Sequence, residues 1–347
     1  MARFSDLTRD WFTGTFTEPT AAQAQAWSAI ADGHNTLVVA PTGSGKTLAA
    51  FLWALDRLTA QPGLTPGKGT RVLYISPLKA LAVDVERNLR TPLAGIGRIA
   101  EHRGLPAPAV TVGVRSGDTG PARRRELVAN PPDILITTPE SLFLMLTSAA
   151  REALTGVQTV IVDEVHAVAG TKRGSHLALS LERLDAMLTR PAQRIGLSAT
   201  VRPAEEVARF LSGQAPTRIV APPAAKTFEL TVQVPVPDMT SPAEGTIWPE
   251  VEERIVDLVE QHHSSIVFAN SRRLAERLTA RLNEIHEQRH EHDPDGPPAP
   301  LARAHHGSVS KETRSAVEED LKSGRLRAVV ATSSLELGID MGTVDLV

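Results

Sequence analysis

The amino-acid sequence predicts an α/β protein built on parallel sheets, on three observations. A glycine-rich loop, Ala40-Pro41-Thr42-Gly43-Ser44-Gly45-Lys46-Thr47, joins an apolar strand-like run to an apolar helical one. Further short aliphatic runs follow, each separated from the next by a helical stretch, the pattern of strands buried on both faces. After a proline-rich break the alternation begins again, which predicts a second domain. The expected limits are a first domain over 1–220, a linker over 221–245 and a second domain over 246–347.

Composition narrows the class. With 347 residues, 41% hydrophobic and 22% charged, the chain suits one or two globular domains rather than disorder. Its net charge of −3 gives no general attraction to nucleic acid, so any such binding must rest on local placement. Cysteine is absent, which excludes disulfides and thiolate metal sites and suits a reducing, cytoplasmic location. The N-terminal residues lack an apolar signal core, and no apolar run is long enough to span a bilayer, so no membrane partner is expected.

In the loop, Leu37-Val38-Val39 enters as a buried strand and Leu48 to Leu55 leaves as a core-facing helix. Gly43 and Gly45 let the backbone approach an anion with no Cβ in the way. Amides of Thr42, Gly43, Ser44 and Gly45, with those opening the helix, then point at phosphates, helped by the positive end of the helix dipole. Lys46 is placed to reach the β- and γ-phosphates, and the Thr47 hydroxyl is a ligand for Mg²⁺. Ala40 stands where the general pattern has its first glycine. Upstream, Pro19 and Thr20 can open a helix with Gln23 one turn inside. A glutamine amide both donates to and accepts from an adenine edge, which would select ATP; an exposed helix glutamine is the alternative.

The strands expected after the loop are Val72–Ile75, Val110–Val114, Ile134–Thr137, Val160–Val162 and Ile195–Leu197. In such sheets ligands sit beyond the carboxyl ends of the strands, and polar groups cluster there. Asp163-Glu164-Val165-His166 leaves one strand, with Asp163 suited to hold the metal and Glu164 to orient and deprotonate the attacking water. Ser198-Ala199-Thr200 leaves another and can relay hydrogen bonds. Ser76-Pro77-Leu78-Lys79 and Thr137-Thr138-Pro139 each open a helix, where a phosphate can bind; the alternative for each is a plain helix cap. Arg123-Arg124-Arg125 reads as a solvated helix face, with contact to a nucleic-acid backbone as the alternative. Leu211-Ser212-Gly213-Gln214 resembles the signature of transport ATPases but lies after the acidic strand, and reads instead as a helix ending at Gly213.

In the second domain, Ile247, Val251, Ile255 and Leu258 form a helical stripe, followed by a strand at Ile266–Phe268 and a helix from Arg272. Residues 286–300, with His286, His290 and His292, read as a polar surface insertion, with a histidine metal site as the alternative. His305-His306 precedes another helix, and Thr332 to Asp340 follows a strand at Arg327–Ala331.

The order of these segments resembles that of superfamily-2 helicases. Lys172-Arg173-Gly174-Ser175-His176, Phe268-Ala269-Asn270-Ser271-Arg272-Arg273 and Ala331 to Asp340 resemble in particular the large helicase-related (Lhr) family of DEVH helicases. The resemblance implies two RecA-like domains, ATP and Mg²⁺ between them, and a nucleic acid strand across their tops. It assigns Gln23 to adenine and gives Lys46, Thr47, Asp163 and Glu164 the roles above. His166, Ser198 and Thr200 would couple hydrolysis to movement. Pro77, Lys79, Thr138, Arg272, His306 and Thr332 would lie on or near the strand, and Gly338 and Asp340 near the nucleotide. It also implies 3′ to 5′ movement on single-stranded DNA, unwinding of DNA or RNA–DNA duplexes, and a role in DNA repair. Such helicases carry a further arginine motif and winged-helix domains that do not occur before Val347. A fragment of a longer helicase, its second domain incomplete, is therefore expected. The alternative is a module that binds nucleotide and nucleic acid with little turnover.

Overall fold

The computed structural model describes all residues except 42, 61–68, 78, 200, 224–228, 237–244, 292–297, 333–334 and 336–343, and the side chains of 79–84 and 311 are also left aside. The chain divides into two units, Met1–Ala225 and Lys226–Val347.

The first unit opens with helices α1 (Asp6–Thr15) and α2 (Ala21–Ala31), strand β1 (Asn35–Val39) and helix α3 (Lys46–Thr59). It continues through β2 (Val72–Ile75), α4 (Lys79–His102), β3 (Val112–Arg115), α5 (Pro121–Ala129), β4 (Ile134–Thr137) and α6 (Pro139–Leu146). A 3₁₀ turn at Ala149–Leu154 leads to β5 (Thr159–Val162), α7 (His166–Ala169), α8 (Lys172–Asp185), β6 (Gln193–Ser198), α9 (Ala204–Ser212) and β7 (Thr217–Val220). The strands form one parallel sheet in the order β3-β4-β2-β5-β6-β1-β7.

Unbroken aliphatic strands form because both faces of the sheet are covered. Alternate residues of one strand therefore join different cores. Val38, Tyr74, Ile136, Ile161 and Leu197 pack against α2, α3 and α4. Leu37, Ile75, Leu135, Val162 and their neighbours pack against α6, α8 and α9. Phe4, Trp11, Phe12 and Trp27 form one apolar cluster with Leu52 and Ile96, and the Phe4 and Phe12 rings meet Trp27 edge-on.

Gly174 in α8 faces the carbonyl of Val168 so closely that a Cβ there would overlap it. Backbone cannot retreat as a flexible side chain can, so Gly174→Ala should destabilise this unit by roughly 1–3 kcal/mol. A urea denaturation series checks this; a change below about 0.5 kcal/mol, the scale of an ordinary surface substitution, would contradict it.

The second unit contains α10 (Trp248–Glu260), β8 (Ser265–Phe268), α11 (Arg272–Arg289), β9 (Ala302–His305), α12 (Lys311–Lys322) and β10 (Ala328–Ala331). Its three parallel strands are ordered β8-β10-β9. Val256, Val259, Leu278, Leu282 and Val330 form the core on one face, and Ile266, Val317, Leu321 and Val329 on the other.

The structure departs from the sequence reading in three places. Strands β7 and β9 were not expected. The buried face of α10 is Glu252, Val256 and Val259; of the expected stripe Ile247, Val251, Ile255 and Leu258, Ile255 packs partly buried against the same core. Glu252 is tolerated there because Arg281 of α11 pairs with it at 3.2 Å. His286 lies on α11, and His290 caps it, so the expected insertion begins as helix. Helix α9 does end at Gly213, which takes a left-handed φ of 59°.

Candidate functional site

All strands of the first sheet run parallel, so their carboxyl ends share one rim. The glycine-rich loop leaves β1 on that rim, Asp163 and Glu164 leave β5, and Ser198 ends β6 between them.

The loop turns through Gly43 and Gly45, both at φ 78°, and Gly45 caps α3. Ser44 closes the turn by donating its amide and hydroxyl to the Pro41 carbonyl, at 3.3 and 2.7 Å. Thr20 and Gln23 form a reciprocal capping box at the start of α2. Both also hold the loop: the Thr20 hydroxyl donates to the Ser44 carbonyl at 3.0 Å and Gln23 Nε2 to the Gly45 carbonyl at 3.4 Å. Gln23 is buried, not the exposed alternative, and a Cβ at Gly45 would collide with its amide.

Lys46 is buried and donates Nζ to the Ala40 carbonyl at 2.6 Å. Burial pulls its pKa below the ordinary lysine value, and the charges of Glu164 and Asp163 oppose that pull. Thr47 follows it in the first turn of α3.

Asp163 is pushed up to about 6 by burial first and by Glu164 second. Its carboxylate accepts from the Tyr74 hydroxyl and, at 2.9 Å, from the Glu164 amide. Burial raises Glu164 as well, and Lys46 lowers it. Glu164 takes a positive φ of 44°, a strained setting for a residue with a Cβ.

His166 connects Glu164 to β6. The Ala199 amide donates to His166 Nδ1 at 3.3 Å, so that nitrogen carries the lone pair and Nε2 the hydrogen. Ser198 Oγ lies 3.2 Å from the same Nδ1, and Nε2 lies 3.4 Å from Glu164 Oε2. A continuous polar path thus runs from the acid to the segment after β6.

Thr138 and Pro77, also on this rim, are engaged in the fold. The Thr138 hydroxyl caps α6, accepting from the Ser141 amide at 3.4 Å. Pro77 is buried and its carbonyl accepts from Arg173 at 2.7 Å, while Arg173 also pairs with Glu140. Lys79 opens α4. In the second unit, Arg272, His306 and Thr332 follow β8, β9 and β10 and share the corresponding rim. Arg272 donates to Ser308 Oγ at 2.7 Å, His306 Nε2 lies 2.6 Å from Glu276, and the Thr332 amide donates to the His305 carbonyl at 3.3 Å. Thr42, Thr200, Gly338 and Asp340 lie outside the described residues.

Sequence reasoning missed Tyr74 and Arg115, and it read Arg124 as part of a solvated helix face. Tyr74 is the chain's sole tyrosine, set in an otherwise aliphatic strand, and that oddity was a usable signal. Arg115 ends β3 with a buried Nη1 that has no hydrogen-bond partner among the described residues. Arg124 turns from its helix onto the carbonyls of Ser116 and Gly117, while Arg123 and Arg125 are exposed as expected.

The DEAD/DEAH box helicase family matches residues 20–209, and the helicase conserved C-terminal domain matches residues 250–347. The chain is 73% identical to the Lhr helicase/probable uracil glycosylase of Mycolicibacterium smegmatis, over 100% of this chain and 24% of that protein. It is 54% identical to the Lhr helicase/uracil glycosylase of Escherichia coli, over 99% of this chain and 25% of that one. The chain thus spans about a quarter of the length of these relatives. Among solved structures, Mycobacterium smegmatis helicase Lhr bound to ssDNA and AMP-PNP superposes with a TM-score of 0.86 at 76% identity, covering 99% of this chain and 43% of that one. With its glycine-rich loop, acid pair and second parallel sheet in the expected order, the chain belongs to the DEAD/DEAH box helicases and, within them, to the Lhr helicases.

Proposed function

We propose that the chain is an ATP-driven motor core that moves 3′ to 5′ along single-stranded DNA and unwinds DNA or RNA–DNA duplexes, serving DNA repair in the cytoplasm. One observation carries the proposal: a buried lysine in a strand-to-helix loop shares its electrostatic field with two buried carboxyls on the same rim. The likeness to a helicase bound to ssDNA and AMP-PNP supports the choice of ligands.

In this reading Lys46 and the amides of residues 42–47 hold the triphosphate, and Gln23 reads the adenine. Asp163 and Thr47 would hold Mg²⁺. The residues fit such an ion, because two buried carboxyls facing one lysine leave an excess of negative charge. When bound, Mg²⁺ neutralises charge on the β- and γ-phosphate oxygens. Glu164 orients the attacking water and takes its proton. His166, Ser198 and Thr200 pass the state of the nucleotide to the strand-binding rim. Pro77, Lys79, Thr138, Arg272, His306 and Thr332 meet the DNA; Gly338 and Asp340 are assigned to the nucleotide by family resemblance alone.

The test is ATP hydrolysis by residues 1–347 with and without single-stranded DNA. DNA should stimulate turnover, and Lys46→Ala should abolish both turnover and tight nucleotide binding. Binding without DNA-stimulated turnover would favour the binding-module alternative. A Lys46→Ala protein that bound nucleotide like the parent would refute the loop assignment.

A further inference from the structure

A cavity of about 410 Å³ lies at the amino ends of the second sheet, the end opposite Arg272, His306 and Thr332. Its wall includes Glu260, the last residue of α10, with His286 and His290 from the end of α11. The two imidazoles stand one helical turn apart, with ring centroids separated by 4.4 Å. The three side chains present ligand atoms that all lie within 4.8 Å of one another.

The hydrogen bonds settle which ring nitrogens are open. His290 Nδ1 lies 2.8 Å from the His286 carbonyl, and a carbonyl only accepts, so this nitrogen carries the hydrogen. His286 Nδ1 lies 2.8 Å from Glu260 Oε1, and the carboxylate accepts in the same way. In their neutral forms both rings then keep the lone pair on Nε2. Ligating histidines are held in this manner, with the second ring nitrogen donated to a carboxylate or a carbonyl.

The neighbouring arginines are already matched. Arg289 is bound by Glu260 at 3.0 Å, by Asp257 at 2.9 Å and by Glu253. Arg325 pairs with Asp320 at 2.8 Å, and Arg327 donates to the Glu260 carbonyl at 3.1 Å. Their charge is offset locally, which lowers the cost of bringing in a cation.

We propose that His286 and His290, oriented by Glu260, bind a divalent transition-metal ion, and that the Glu260–His286 hydrogen bond ties the end of α11, so fixed, to the end of α10. Imidazole pairs select zinc, nickel or copper over magnesium. The site is independent of the nucleotide reading, because it lies wholly within the second unit and uses nitrogen ligands.

The experiment is a Zn²⁺ titration of the 347-residue chain against a chromophoric chelator, in millimolar Mg²⁺. One saturable Zn²⁺ equivalent is expected, accompanied by a rise in unfolding temperature. His290→Ala and His286→Ala should remove both effects. Glu260→Gln, which keeps an acceptor but loses the charge, should weaken binding by about ten- to a hundredfold. His263→Ala, an exposed histidine outside the cluster, should change neither. His290 caps the helix outside the core, so its replacement leaves a folded chain to measure. Unchanged Zn²⁺ stoichiometry and affinity in His290→Ala would overturn the proposal, as would displacement of the ion by Mg²⁺.

Discussion

Glu164→Gln should bind nucleotide as the parent does and lose ATP turnover by about a hundred- to ten-thousandfold, the usual worth of a positioned general base. Glutamine keeps the shape of the side chain and an oxygen that can accept from His166 Nε2, which lies 3.4 Å away in the parent. What it loses is the capacity to take a proton. The effect is therefore expected in turnover and not in affinity, which separates Glu164 from Lys46. Phosphate release and binding of a fluorescent nucleotide, measured on the same preparation, check both halves. Turnover equal to the parent's would remove Glu164 from the role of base.

Asp163→Asn should abolish turnover and, in the absence of nucleotide, make the first unit more stable at pH 7.5. The carboxyl is pushed up to about 6 from an ordinary 3.8 because its charge is buried beside Glu164. An acid raised in the folded state penalises folding once it ionises. That penalty is complete above about pH 6 and fades as pH falls towards 3.8, below which the folded and unfolded forms are both protonated. A shift of about two pKa units corresponds to about 3 kcal/mol. Asparagine fills the same space and carries no charge; its Oδ1 can still accept from the Glu164 amide, and its Nδ2 can donate to the Tyr74 hydroxyl oxygen, reversing that bond. Thermal melts across pH 4 to 8 should show the variant melting several degrees higher at pH 7.5, with the gap closing towards pH 4. A variant less stable than the parent at pH 7.5 would contradict the burial argument. Stability given up at a carboxyl proposed to hold the metal is the expected trade between folding and activity.

The interior of the larger sheet was legible because burial on both faces imposes an unmistakable pattern. Runs such as Leu73-Tyr74-Ile75 and Val160-Ile161-Val162 have no polar positions to spare. The missed strands lie at sheet edges, where one side needs no apolar residues. Thr217-Arg218-Ile219-Val220 and Ala302-Arg303-Ala304-His305 interleave polar side chains and so read as loop. The face of α10 was misread because a buried Glu252 depends on Arg281, a partner 29 residues away that no local periodicity reveals. The glycine-rich loop and the acid pair were readable as strings. Their supports were not: Tyr74, Thr20 and the His166–Ala199 contact join segments far apart in the chain, and only the fold brings them together.

The most direct measurement is a crystal structure of this chain with AMP-PNP and Mg²⁺. It should place the β- and γ-phosphates within hydrogen-bond reach of Lys46 Nζ, displacing the Ala40 carbonyl, with the γ-phosphate beside Asp163 and Glu164. A nucleotide bound elsewhere, or a Lys46 still held by Ala40 with the triphosphate turned away from both acids, would contradict it.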